Sequence, residues 1–200
     1  MLQNQKNLKT CNQNFFDNLS PTPLLTGEGR RGEVNYMKKQ NIIILHDIRS
    51  VQNVGAMFRT ADAAGVNKIY LTGYTPAPLD RFGRKRKDLA KSALGAEEFV
   101  TWEQKKNIFP LITKLKEEKY FIVAIEQDKK SVDYKKVSAR GGSALGGKKL
   151  AFIVGAEVTG IPKNILKKCD LIAEIPMRGQ KESLNVSVAL GIVLFRICNL

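Results

Sequence analysis

From Asn41 onward the chain alternates short apolar, β-branched runs with segments of helical period, and this alternation limits the folds open to it more than any other feature. Ile42–Leu45, Lys68–Thr72, Tyr120–Ile125, Leu150–Val154 and Leu171–Ile175 each read as a strand. Continuous apolar runs of this length suit strands buried on both faces, as in a parallel sheet. Glu98–Thr101 reads as one more. Val54–Ala64, closed by Gly65, reads as a helix, as does Glu103–Glu118, which carries Ile108, Leu111, Ile112 and Leu115 on one stripe. Glu182–Cys198 reads as the last helix, so apolar that it must be buried nearly all round. Together these predict an α/β fold: a mainly parallel sheet with helices on both faces.

The first forty residues lack this texture. They are rich in Asn and Gln, then carry Pro21, Pro23, Gly27, Gly29 and Gly32 with no sustained apolar period. Residues 1–40 are therefore expected to be a poorly ordered or extended arm, and residues 41–200 one domain. No apolar stretch is long enough for a membrane helix, and the start lacks the apolar core of a signal peptide. Cys11, Cys169 and Cys198 are far apart and odd in number, which suggests reduced thiols in a cytoplasm and excludes a cysteine-built zinc site. His46 is the only histidine, so no metal is expected, and a packed role suits it better than catalysis.

Thirty-three Lys and Arg against 19 Asp and Glu leave a net charge of +14. Such a surplus favours a polyanionic partner, nucleic acid before an anionic membrane surface. Residues 1–40 hold six basic and three acidic side chains, a share of only +3. The segment Arg81–Lys91 packs six cations around one anion, which must be solvated or face phosphates. Phe82 among them offers a ring on which a base can stack, so Arg81, Arg84, Lys85, Arg86 and Lys87 are candidate RNA contacts. The glycine-rich stretch Gly142–Lys148 matches half of a phosphate-binding loop. However, Lys149 stands where a hydroxyl is needed, and the glycines precede a strand, so a surface loop is the better reading.

Three further segments carry chemistry. The first, Asp47–Gly65, leaves a strand's carboxyl end and enters a helix, the place where open α/β sheets bind ligands. Asn53 stands at the helix start and Arg59 six residues on, near the same face; capping and a surface ion pair are the plain alternatives. The second, Phe152–Pro162, sets Gly155 and Gly160 around the lone carboxylate of Glu157, which suggests a tight loop open to a ligand. The third, Ile175–Ala189, runs from a strand through a polar loop into an apolar helix, where Ser183 and Asn185 could simply be caps.

In order and spacing, the set Asn53…Arg59-Thr60, Gly155-x-Glu157-x-x-Gly160 and Pro176-Met177-x-Gly179…Ser183-Leu184-Asn185-Val186-Ser187 resembles the three motifs of the SpoU/TrmH family of RNA 2′-O-ribose methyltransferases, in the SPOUT superfamily. The resemblance runs from about Asn41 to Leu200. It implies a C-terminal deep trefoil knot, S-adenosylmethionine as methyl donor, RNA as substrate (tRNA ahead of rRNA), and a homodimer that completes the RNA site. It further implies that Arg59 is the central catalytic residue, held by Glu157 within one subunit or across the dimer. Asn53 and Asn185 would then orient ribose and donor, Ser183 would add a hydrogen bond, and Gly155, Ile175, Met177, Leu184 and Ala189 would cradle the donor. Residues 1–40 do not resemble the small RNA-binding domain of some members, and no helical extension follows the last motif. The competing expectation is a non-catalytic RNA-binding protein on the same fold.

Overall fold

Seven parallel strands in the order β3-β2-β1-β6-β4-β7-β5 form the sheet of the computed structural model, which describes residues 40–137, 149–198 and 200. They are β1 (Ile42–His46), β2 (Lys68–Thr72), β3 (Thr101–Lys105), β4 (Tyr120–Ile125), β5 (Val132–Asp133), β6 (Lys149–Val154) and β7 (Leu171–Glu174). Strand β6 lies between β1 and β4, pairing Ile42–Leu45 with Ala151–Val154 on one side and Tyr120–Ala124 with Lys149–Ile153 on the other. The arm expected at the start and the Gly142–Lys148 stretch lie outside the described residues, except for Gln40.

The side-chain alternation of the strands splits the core in two. Ile43, Leu45, Ile69, Leu71, Val123, Phe152 and Val154 face the helices α1 (Val51–Ala63), α2 (Lys87–Ala93) and α6 (Val186–Cys198). Ile42, Ile44, Ile122, Ala124, Ala151 and Ile153 face α4 (Ile108–Glu117) and α5 (Lys163–Leu166) on the opposite side. Helices thus cover both faces. Phe58, Phe152 and Met57 are fully buried, each worth about 1.5–3 kcal/mol of transfer free energy. Helix α1 starts at Ser50, whose hydroxyl accepts from the Asn53 N–H. Asn53 is therefore the third residue of the helix and not its cap.

Three boundaries differ from the sequence reading. The third strand is Thr101–Lys105, and the residues before it, Ala96–Phe99, form a short helix, α3. Helix α4 begins only after Asn107, whose side chain accepts from the Phe109 N–H. Glu103 belongs to β3, a polar edge strand that needs no apolar run because it pairs on one side only. There Lys105 and then Lys68 pull the Glu103 carboxyl down to about 2. The last helix starts at Val186, leaving Glu182–Asn185 in the loop before it. Its burial is one-sided: Leu190, Val193, Leu194 and Ile197 are buried, while Val188, Ile192 and Phe195 form an exposed stripe at helical spacing.

His46 is buried at the end of β1, with Nδ1 2.9 Å from Thr72 Oγ1 and Nε2 3.2 Å from Asp47 Oδ2. Burial pushes its pKa down against the pull of Asp47, so it stays neutral, as a packed histidine should.

Candidate active site

Strands β4, β6 and β7 end at the same edge of the sheet, and the segments that follow them, with the start of α6, line a cavity of about 470 Å³. The loop after β6 forms one wall. In it Ala156 and Gly160 pair as an antiparallel bridge, with the Gly160 N–H donating to the Ala156 carbonyl (2.9 Å). Gly155 and Gly160 are required by this fold-back. A Cβ on Gly155 would lie 2.5 Å from the Gly160 carbonyl carbon, and Gly160 adopts φ 64° with Glu126 where its side chain would stand. The glycines thus serve the loop's own packing, in contrast to the expected open approach for a ligand, although both also line the cavity.

The tight loop presents Glu157. Its carboxylate accepts from the Arg49 N–H (3.1 Å), the Ser50 N–H (3.2 Å) and the Asn53 side-chain amide (2.9 Å). The Asn53 carbonyl oxygen in turn accepts from the Asn185 amide (3.1 Å). Asn185 also caps α6, its carbonyl oxygen accepting from the Ser187 N–H (2.8 Å). One hydrogen-bond chain, Asn185–Asn53–Glu157, therefore joins three segments, with Asn53 104 residues from Glu157 and 132 from Asn185 along the sequence. Asn185 thus both caps α6 and bonds to Asn53.

Burial alone would push the Glu157 carboxyl up, but the Asn53 amide and the backbone N–H groups outweigh it and hold the pKa below the usual glutamate value. A carboxylate lowered on folding stabilises the fold above its ordinary pKa and loses that contribution as pH falls through the lowered value. Glu157→Gln is thus expected to be less stable than wild type at about pH 7, with the gap shrinking towards about pH 3. Urea unfolding at the two pH values measures this, and an equal gap at both would refute it.

Gly155, Ile175, Met177, Leu184 and Ala189 all line the cavity, as do Glu157, Ser183 and Asn185. Asn53 reaches it through Glu157. Arg59 does not join. Six residues at 100° each leave it about 120° round α1 from Asn53, so the two do not share a face. It is exposed and bonds to no described residue. Within one chain Glu157 is occupied by Asn53, Arg49 and Ser50, so it does not hold Arg59. Thr60, the neighbour of Arg59, packs toward Gly191 of α6.

Glu126, Gln127 and Glu174 also line the cavity. Glu126 accepts from the Ile161 N–H (2.8 Å) and so fastens the motif loop to the end of β4. No periodicity marks these residues; their place at the carboxyl ends of strands is the one sequence signal that points to them.

The cavity suits a cationic donor such as S-adenosylmethionine. Its volume lies within the ~300–1,000 Å³ typical of ligand sites. Ile175, Met177, Leu184 and Ala189 offer an apolar wall for a flat ring, and three glutamates offer the charge that a sulfonium and an ammonium group require. Among the described residues there is no group of side chains fit to hold a metal ion.

Of the basic segment, Arg81, Arg84, Lys85 and Lys87 are exposed and Arg86 is half-buried. Arg84 pairs with Asp80, Lys85 with Glu98 and Arg86 with Asp88. Surface pairs of this kind are worth about 0–1 kcal/mol, so these cations remain available to a phosphate backbone.

A family model described as the SpoU rRNA Methylase family matches residues 40–195. A putative TrmH family tRNA/rRNA methyltransferase of Staphylococcus saprophyticus is 30% identical over 80% of the chain and 59% of its own length. The 23S rRNA (guanosine-2′-O-)-methyltransferase RlmB of Escherichia coli is 34% identical over 77% of the chain and 58% of its own. The crystal structure of an AdoMet-bound rRNA methyltransferase from Sinorhizobium meliloti superposes with a TM-score of 0.69 at 26% identity, covering 80% of the chain and 56% of that protein. The chain spans less than three-fifths of the length of each of these relatives.

Proposed function

The chain belongs to the SpoU rRNA methylase family, and from that premise we propose that it transfers a methyl group from S-adenosylmethionine to a ribose 2′-hydroxyl of a structured RNA, a tRNA or an rRNA. The observation that carries the reading is the Asn185–Asn53–Glu157 chain beside a cavity fit for the donor. A protein that only bound RNA would have no need of a donor-sized, acid-lined cavity built on that chain.

When bound, the donor supplies a methyl group on a positively charged sulfur. The residues supply the rest. A ribose 2′-hydroxyl is a weak nucleophile because its pKa lies far above neutrality, so it must be oriented and relieved of its proton. Asn53 and Asn185 fix the wall against which the ribose lies, and Glu157 anchors that wall to the backbone of the β1–α1 turn. Ser183 adds a hydroxyl at the rim. Arg59 holds the nucleotide's phosphate. A guanidinium is effectively always protonated, so Arg59 stays charged and the hydroxyl's proton passes to a phosphate oxygen and from there to water.

We read the assembly as a homodimer in which Arg59 reaches the site across the interface, beside the partner's Glu157. The exposed stripe Val188, Ile192 and Phe195 supports this, because it leaves an apolar face open on α6, the helix that packs against α1. Ile192→Glu is expected to shift sedimentation at micromolar concentration from dimer to monomer and to abolish turnover; a variant that stays dimeric and active refutes the interface. The knot belongs to the same proposal, supported by β7 lying between β4 and β5, both laid down before it. The reducing cytoplasm is the matching compartment, since the three cysteines are odd in number and far apart along the chain. Nucleoside mass spectrometry of tRNA and rRNA treated with isotope-labelled donor tests the activity. A labelled 2′-O-methylnucleoside is expected, while a labelled base, or no label, overturns the proposal.

A further inference from the structure

The turn that follows β2 presents a feature used neither by the donor cavity nor by Arg59. Leu79 and Lys85 pair across it, the Asp80 N–H donates to the Arg84 carbonyl (2.9 Å), and the Gly83 N–H donates to the Asp80 carbonyl (3.0 Å). The Asp80 carboxylate then fastens the tip, accepting from the Phe82 N–H (2.8 Å), the Arg84 N–H (2.9 Å) and Arg84 Nε (2.8 Å). All this order holds Phe82 out in water, 66% exposed. Arg81 and Arg84 place their guanidinium carbons 4.7 and 5.0 Å from its ring centroid. A phenylalanine so fixed and so exposed adds nothing to either core.

Phe82 forms one side of an open groove of about 610 Å³, and Tyr74, 52% exposed, forms another. Arg84 and Arg86 also line it, and the Arg49 guanidinium lies 5.8 Å from the Tyr74 ring. Arg49 links this groove to the active-site hydrogen-bond chain, since its guanidinium lies against Tyr74 while its N–H donates to Glu157. Asp80, which also lines the groove, is already paired with Arg84. Two exposed rings ringed by guanidinium groups select a ligand with a flat π-face and negative charge, which is a nucleotide. A base inside a duplex cannot offer its face, so the nucleotide must be unpaired.

We propose that this groove is a base-stacking subsite for an unpaired nucleotide next to the methylated one, with its base on Phe82 and its phosphates on Arg81 and Arg86. The proposal rests on the RNA reading above and sharpens its substrate class to RNA that is single-stranded beside the modified ribose.

Fluorescence anisotropy of the full chain with two labelled RNAs, a hairpin with a single-stranded loop and a fully paired duplex, tests it. Phe82→Ala is expected to weaken hairpin binding on the order of tenfold, leave the duplex within about twofold, and leave the salt slope unchanged. Phe82→Trp should keep hairpin affinity. Arg81→Gln should reduce the salt slope for both RNAs by about 0.7–0.9. The proposal fails if Phe82→Ala binds the hairpin like wild type, loses both RNAs equally, or also loses affinity for S-adenosylmethionine measured by calorimetry. A wild-type chain that binds the hairpin through Phe82 yet methylates no RNA refutes the methyl-transfer reading and leaves the subsite standing. One that methylates without dependence on Phe82 refutes the subsite alone.

Discussion

Arg59→Ala is expected to lower the rate of methyl transfer on the order of 10²–10³-fold, the usual loss when one positioned donor is removed from a reacting centre. Affinity for S-adenosylmethionine should stay within about twofold, because Arg59 does not line the cavity and bonds to no described residue. Stability should change by no more than about 0.5 kcal/mol, as for other exposed side chains. Arg59→Lys restores the charge but not the planar fork, so it should recover little activity. Single-turnover kinetics with labelled donor, beside a calorimetric donor titration, measure both effects. Wild-type turnover in Arg59→Ala would remove this residue from the chemistry, and lost donor binding would move it into the cavity.

Gly155→Ala should damage the protein by a different route. One added carbon stands 2.5 Å from the Gly160 carbonyl carbon and 2.7 Å from Ile161 Cγ1, and the first of these is backbone that cannot rotate away. Relief requires the loop to open, at a cost of about 1–3 kcal/mol, typical of overpacking. Because the loop carries Glu157, opening it also pulls the carboxylate from Asn53 and from the Arg49 and Ser50 N–H groups. Donor affinity should therefore fall on the order of tenfold or more, since about 1.4 kcal/mol is enough for that. Gly179→Ala is the control: nothing lies within 4 Å of its added carbon, so its stability should stay within about 0.5 kcal/mol. Urea unfolding and calorimetry distinguish the two variants; equal stability of both would show that the loop tolerates a side chain at residue 155.

The buried strands were legible in the sequence because a strand covered on both faces must be apolar along its buried stretch, and Ile42–Leu45 of β1, Phe121–Ile125 of β4 and Leu150–Val154 of β6 are. The edge strand β3 was not, for the opposite reason: Thr101–Lys105 meets solvent and secures itself with the Lys68–Glu103 pair, so its residues mimic a helix start. The three site segments could be picked out one by one, and their order pointed to a shared site. Their joint was not legible, because the contact of Asn53 with Glu157 and Asn185 depends on which strands become neighbours. Arg59 shows the limit of helical spacing, which fixes its angle from Asn53 but says nothing of what it meets beyond its own chain.

The place of β6 has a consequence for the newborn protein. Strands β1, β2 and β3 can pair as soon as they are made, but the other edge of β1 has to wait for residues 149–154. Until then Ile42–Leu45, apolar on both faces, is an open template for pairing with another chain. Contacts so distant along the chain also make folding slow, which lengthens the wait. The chain is thus most prone to aggregate before β6 is made, and the donor cavity closes only once α6 supplies Val186 and Ala189 to its lining.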